Sequence, residues 1–188
     1  MKPRGQVLII VAFLIPIGLL LVAIAIDAGR IFIERGKMQR AAGAAANAGI
    51  SVVSDRMVTQ AVARQTQASL AALATDIPMR TPTPSLSDPV AWLTDEDRVE
   101  LVSSAMQSEA SNEVMLFLEK NGYSPTEIDS LEVEIEYPQP GYDPYAPQIS
   151  VLSMRVQVGR RLAVLLAGLL NEDWVSLKAG AWSQIPQR

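Results

Sequence analysis

Cysteine and histidine are both missing from this 188-residue chain. Their absence excludes thiol chemistry, Cys/His zinc sites and any Ser-His or Cys-His relay. It leaves the redox compartment open, because a domain with enough apolar core needs no disulfides. Glycine-rich phosphate loops are missing too: neither G-x-x-x-x-G-K-[ST] nor G-x-G-x-x-G can be read anywhere. Beyond residue 40 positive charge is scarce, with ten Lys/Arg against eighteen Asp/Glu and a net −8. Such a domain is unsuited to nucleic acid, whose phosphates need clustered cations. Residues 1–40 have the opposite balance, six Lys/Arg against two Asp/Glu, which suits a stretch beside anionic lipid headgroups.

What the chain does have is one long apolar run. Residues 7–26 (VLIIVAFLIPIGLLLVAIAI) contain no charge, polar side chain or amide. Twenty residues at 1.5 Å each span about 30 Å, the thickness of the hydrocarbon core. Lys2 and Arg4 stand before the run, Asp27 and Arg30 after it. Pro16 and Gly18 are compatible with a membrane helix, Pro16 removing one backbone donor and favouring a kink. The competing reading is a signal peptide cut after the small-x-small pattern Ala23-Ile24-Ala25. Signal-peptide cores usually run about 7–15 residues, so a retained transmembrane helix is the expectation. Charge gives no orientation, because Lys2, Arg4 and the amino terminus stand against Arg30, Arg35, Lys37 and Arg40.

The length suits one anchor and one modest domain. Residues 28–48 read as continuing helix and lead into an Ala/Gly run (AAGAAANAGISVV, 41–53). Alanine favours helix, and small side chains let another helix or sheet come close. Ala41, Ala42, Ala45, Ala48 and Gly49 are therefore the candidate helix-packing positions. Residues 55–75 extend the helix with an irregular apolar stripe of Val58, Val62, Leu70 and Leu73, while Gly43 and Gly49 argue against one unbroken rod. Four prolines within 77–89 mark an extended linker.

Thr94, followed by Asp95, Glu96 and Asp97, opens a helix with Val99, Val102, Met106, Val114, Phe117 and Leu118 near one face. Asn121-Gly122 ends it, and Ser124-Pro125-Thr126-Glu127 is a capping-box turn. Three alternating strands follow, their inward rows being Leu131, Val133, Ile135 and Tyr137, then Leu152, Met154, Val156 and Val158, then Val175, Leu177, Ala179 and Ala181. Residues 160–170 (RRLAVLLAGLL) are too apolar for an exposed helix and too few to span a membrane. The expected fold is α+β: a long N-terminal helix, one further long helix and an antiparallel sheet of three or slightly more strands. Its expected divisions are a leader at 1–6, a transmembrane helix at 7–26, a helical extension at 27–75, a Pro-rich linker at 76–93 and an α+β domain at 94–188.

Several of these features recur in a fixed order: Arg4-Gly5-Gln6, the apolar run broken by Pro16, Ile26-Asp27-Ala28-Gly29-Arg30, Gln39, then Ala41-Ala42-Gly43-Ala44-Ala45-Ala46 and Ala48-Gly49. In that order and spacing the first fifty residues resemble the TadE/TadG-like family of tight-adherence (Flp-type) pilus assembly proteins. The tail, with LAVLLAGLL before a closing strand that holds Lys178-Ala179-Gly180-Ala181, is similar to how many members end. The resemblance implies a pilin-like fold on a bacterial inner membrane, amino terminus in the cytoplasm and domain outside. It implies a minor-pilin or pseudopilin-like assembly role, with the lipid bilayer, other pilin-like subunits and the secretion machinery as partners in a hetero-oligomer or filament.

It also implies a prepilin-peptidase site between Gly5 and Gln6. Many members carry Glu five residues after that glycine, where it can pair with a neighbour's terminal amine; a lone amine in hydrocarbon is costly. Ile10 stands there in this chain, so polymerisation as a major subunit is not expected. Longer TadG-like members add a von Willebrand A-type domain whose metal site needs Asp-x-Ser-x-Ser, and no Asp here starts that pattern.

No other pattern points to catalysis. Glu132, Glu134 and Glu136 alternate with buried positions and read as a solvated strand face. Asp95, Glu96 and Asp97 answer a helix dipole. Asp129 and Asp143 lack a twelve-residue calcium loop around them, and Lys120 and Lys178 lie in no motif. No enzyme activity, catalytic residue, cofactor or metal is expected. Tyr142, Tyr145, Trp174 and Trp182 are the candidate partner contacts, aromatics being enriched at interfaces. The alternative function is a membrane-anchored ligand-binding or sensor domain unrelated to pili.

Overall fold

A computed structural model describes residues 4–74, 93–140, 150–165 and 174–185, leaving out the side chains of 4–8, 72–74, 137–140, 150 and 151. One helix, α1 (Arg4–Ala74), runs through the apolar stretch and far beyond it. At 1.5 Å per residue its 71 residues reach about 105 Å. Pro16, Gly43 and Gly49 all lie inside it without ending it, so the continuity that the two glycines left open is complete. Alanine at most positions of 41–48 supplies the propensity that carries the helix past its glycines.

Two shorter helices follow, α2 (Asp95–Leu101) and α3 (Ser104–Lys120). Thr94 caps α2 in a full capping box: its hydroxyl accepts from the Asp97 backbone N–H while the Asp97 carboxylate accepts from the Thr94 N–H. The single helix expected over this stretch is broken at Val102, and Ser103 caps α3 by accepting from the Met106 N–H. The break turns Val99 out, 68% exposed, whereas Met106, Val114 and Leu118 stay buried on one face. Gly122, at φ +86°, closes α3 in a Schellman arrangement. The Tyr123 N–H donates to the Leu118 carbonyl and the Gly122 N–H to that of Glu119.

The sheet has three antiparallel strands in sequence order, β1 (Ser130–Pro140), β2 (Ser150–Leu162) and β3 (Val175–Ile185). Register follows the alternation: Leu131, Val133 and Ile135 lie opposite Val158, Val156 and Met154, and Val158 and Val156 lie opposite Ala179 and Ala181. Leu152, Met154, Val156, Val158, Leu177 and Ala179 are buried, while Arg155, Gln157 and Lys178 face out. Val175 is exposed instead of buried, because it pairs with Leu162 at the open end of the sheet. Tyr137 lies outside the described side chains. β2 runs to Leu162, so the first residues of the 160–170 segment belong to the sheet.

The inner face of the sheet, with α3, packs on α1. β1 is an edge, and Gln107 of α3 donates to its Val133 carbonyl at 2.7 Å, giving one edge acceptor a partner. The expected α+β architecture is what the chain adopts. Of the expected linker, only Leu93 is described; it is buried.

Candidate functional site: the seam between the spine helix and the sheet

α1 changes character at one residue. Among its described side chains from Ile9 to Ile26, none is buried within the chain. From Asp27 a covered face begins and continues through Met38, Ala41, Ala42, Ala45, Ala46, Gly49, Ile50, Val53, Met57 and Ala61. The three-and-four spacing is that of one helix face. Val58, Val62 and Leu70, the stripe expected farther along, are exposed; Met57 and Ala61 hold the inward positions instead. Leu73 lies outside the described side chains.

Small residues on this face set how closely the elements approach. A Cβ added at Gly49 would meet Met154 Sδ of β2 at 2.6 Å and Val114 Cγ2 of α3 at 2.7 Å. Gly49 is therefore the point where helix, helix and sheet converge, and its missing side chain is a packing requirement. Ala41, Ala42 and Ala45 are buried under this chain's own sheet and α3, and Ala48 is half-buried.

Polar contacts pin the same seam at successive heights. Nearest the apolar run, Asp27 Oδ1 accepts from the Leu165 N–H at 2.9 Å. One and a half to two turns on, Glu34 accepts from Arg160 Nη1 at 2.6 Å and from the Tyr123 hydroxyl at 3.4 Å. Arg160 also reaches Glu127 at 3.2 Å, and its guanidinium lies 5.6 Å from the Tyr123 ring centre. Gln39 donates to the Gly180 carbonyl of β3, and Ser183 donates to Asn47 at 2.8 Å. Farther out, Arg64 grips Asp97 through two bonds of 3.0 and 2.8 Å.

Asp97 and Tyr123 have displaced pKa values, and that of Arg64 is raised by its hydrogen bonds to Asp97. Asp97, hydrogen-bonded by Arg64 against the cost of its own burial, is held well below the usual carboxylate range. Burial, aided by the Glu34 carboxylate, pushes the Tyr123 phenol up to about 12. Both serve contacts between α1 and the domain. Among the described residues no group of three or more Asp/Glu is placed to hold a metal ion.

The positions singled out in the sequence are therefore spread along the molecule. Gly5 and Gln6 lie in the first turns of α1, their surroundings outside the described side chains. Trp174 and Trp182 are 46% and 54% exposed at different heights of the sheet. Tyr142 and Tyr145 lie outside the described residues. The Glu34–Arg160 pair was not anticipated, although continuing the β2 alternation two residues past Val158 puts Arg160 on the buried face.

Asp27, Gln39, Ala41, Ala45, Gly49 and Gly180 are among the residues that carried the family resemblance, and each now has a place in the seam. No curated protein and no solved structure matches the chain. The family model that does match is Tad, described as putative Flp pilus-assembly TadE/G-like, over residues 5–75. That stretch is α1 almost in full, so from the apolar run through the helix side of the seam, residues 5–75 are similar to the TadE/G-like family of Flp pilus-assembly proteins.

Proposed function

We propose that this chain is a non-enzymatic minor subunit, pilin-like or pseudopilin-like, of a tight-adherence pilus or related envelope secretion apparatus. Residues 7–26 anchor it in the bacterial inner membrane, with the amino terminus in the cytoplasm and the domain outside. The observation that carries the reading is the change along α1: a helix bare on every side through the apolar run becomes clad by its own domain from Asp27 on. A plain anchor needs no such continuation, whereas a spine helix that carries its domain into an assembly does. The similarity of residues 5–75 to the TadE/G-like family model supports the pilus setting.

In this reading the lipid-facing half of α1 meets neighbouring spine helices on assembly. The Ala41–Gly49 stretch fixes the domain's position on the spine, leaving Gly43, Ala44 and Ala48, which are only partly covered, for neighbours. Trp182, on the outward face of β3 and opposite Arg155, is the partner contact. Prepilin peptidase cuts between Gly5 and Gln6, and Ile10 keeps the product out of ordinary major-pilin polymerisation.

Mass spectrometry of the native amino terminus in membrane fractions tests this. A chain that begins at Gln6 is the expected result. A chain that begins at Met1 removes the processing step, and one that begins at Ile26 removes the anchor. Capture of other pilus components should fall in Trp182→Ala with the domain's melting temperature unchanged; undiminished capture would reject that surface.

A further inference from the structure

Asp27 is the first residue after the apolar run, and its Oδ1 accepts from the backbone N–H of Leu165, 138 positions away. Leu165 sits just past β2, where the β2–β3 hairpin ends. If residues 7–26 fill the hydrocarbon, the Leu165 backbone lies at the hydrocarbon edge, because Asp27 is only about 1.5 Å farther along the axis than Ile26. The headgroup layer extends about 5–8 Å beyond that edge on each side. The chain at Leu165 therefore cannot stand clear of the bilayer.

Its surface has the chemistry of that layer. The Leu165 side chain is 59% exposed, and Val175, paired with Leu162, is exposed beside it. Trp174 is exposed and carries the Arg161 guanidinium 4.8 Å from its ring centre. Tryptophan and arginine side chains, apolar body and polar tip, are enriched where membrane meets water. Around the helix at nearly the same height, Arg30 is exposed and Phe32 is 83% exposed.

We infer that the β2–β3 hairpin end, through Leu165, Trp174 and Val175, is a second membrane contact that enters the headgroup layer beside the emerging α1 helix. It rests on the anchor reading above. Two attachments hold the domain at a fixed tilt on the bilayer, where one helix alone leaves it free to swivel. Release of this contact is then a step that extraction of the subunit from the membrane must include.

The test uses the full chain in phosphatidylcholine/phosphatidylglycerol vesicles, in two single-tryptophan forms. One keeps Trp174 and the other keeps Trp182, with the remaining tryptophans changed to phenylalanine. Trp182 lies eight residues along β3, roughly 26 Å farther from the membrane. Vesicle flotation is read first, since a chain that stays in solution ends the anchor reading and this inference together. With the chain floated, lipids brominated near the headgroup should quench Trp174 several-fold more than Trp182, and aqueous iodide should do the reverse. Leu165→Asp, at an exposed side chain, should abolish the difference while flotation and circular dichroism stay unchanged. Trp174 open to iodide and untouched by bromine would overturn the inference. So would Trp174 shielded from iodide but not quenched by bromine, which would assign the face to a second copy or another protein.

Discussion

The two halves of α1 share one backbone and differ in what surrounds them. Between Ile9 and Ile26 the side chains are apolar and none is buried; between Met38 and Ala61 one face, mostly alanine with Gly49 among Met38, Ile50, Val53 and Met57, is covered almost completely. In the proposed anchor, lipid tails are the solvent of the first half, so bulk is welcome and no direction around the helix is special. In the second half the sheet and α3 come close, and each methylene competes with a neighbour for space. Hydrophobicity alone does not separate the two; the run of alanines and Gly49 where the sheet and α3 come close does.

The largest expected break of this contrast is Ala45→Leu. Ala45 is fully buried, and three more carbons in a packed seam cost about 3 kcal/mol. The domain's melting temperature in detergent should fall by several degrees, and protease should then cut between α1 and the sheet. Ala12→Leu, the same change on the uncovered half, should leave both readings unaltered. Equal behaviour of the two variants would mean that the seam is not close-packed.

Next in size is Arg160→Met. It leaves Glu34, whose side chain is only 15% exposed, without its cation. The pair is neither fully exposed nor fully buried, so a loss of about 2 kcal/mol lies between the two limits. A second readout is independent of stability. Arg160 opposes the upward shift of the Tyr123 phenol, so removing it should move the tyrosinate absorbance change to still higher pH. A transition that stays put or moves down would show that Arg160 does not act on Tyr123.

Much of this arrangement was readable in the sequence, and the boundary falls between local and distant information. The apolar run, the Ala/Gly face, the Thr94 cap and the inward rows of the strands depend on residues a few places apart. The break at Val102 was less readable because Val99 and Val102 fit the apolar face of one continuous helix; the Ser103 cap was the signal that competed with it. Val58 and Val62 form an apolar stripe as plausible locally as the one that is covered, but burial goes to Met57 and the smaller Ala61. Asp27–Leu165, Glu34–Arg160 and Gln39–Gly180 could not be read at all. Their partners are more than a hundred positions apart, and nothing local in either segment encodes the other.

The ends of the seam also respond to opposite extremes of pH. At the distal end the Asp97 value is depressed in the fold, so its contribution is present above the unfolded carboxylate value near 3.9 and is lost as pH falls below it. At the end nearer the apolar run the Tyr123 value is raised to about 12, so its contribution is present below the ordinary phenol value near 10 and is lost as pH rises toward 12. Hydrogen exchange should therefore show α2 loosening first in acid and the 118–129 region loosening first in alkali. Asp97→Asn should remove the acid response in α2 and leave the alkaline one. Loosening of both ends together would mean that the seam opens as one unit.

The smallest effects come from glycines, and they test most directly whether space decides. Gly49→Ala places a methyl against the flexible thioether of Met154 and against the stiff, branched Val114. Met154 can swing aside but Val114 cannot, so a net loss of about 1 kcal/mol is expected even after the gain in helix propensity. Gly43 lies only six residues earlier on the same helix, and a Cβ there meets nothing within 4 Å. Gly43→Ala should therefore stabilise the domain by about 0.5–1 kcal/mol, because the unfolded chain loses freedom and the folded one loses nothing. Opposite signs in paired melting curves would locate the close approach at Gly49. A loss at Gly43 as well, seen only in assembled material, would place a neighbouring subunit over that half-covered surface.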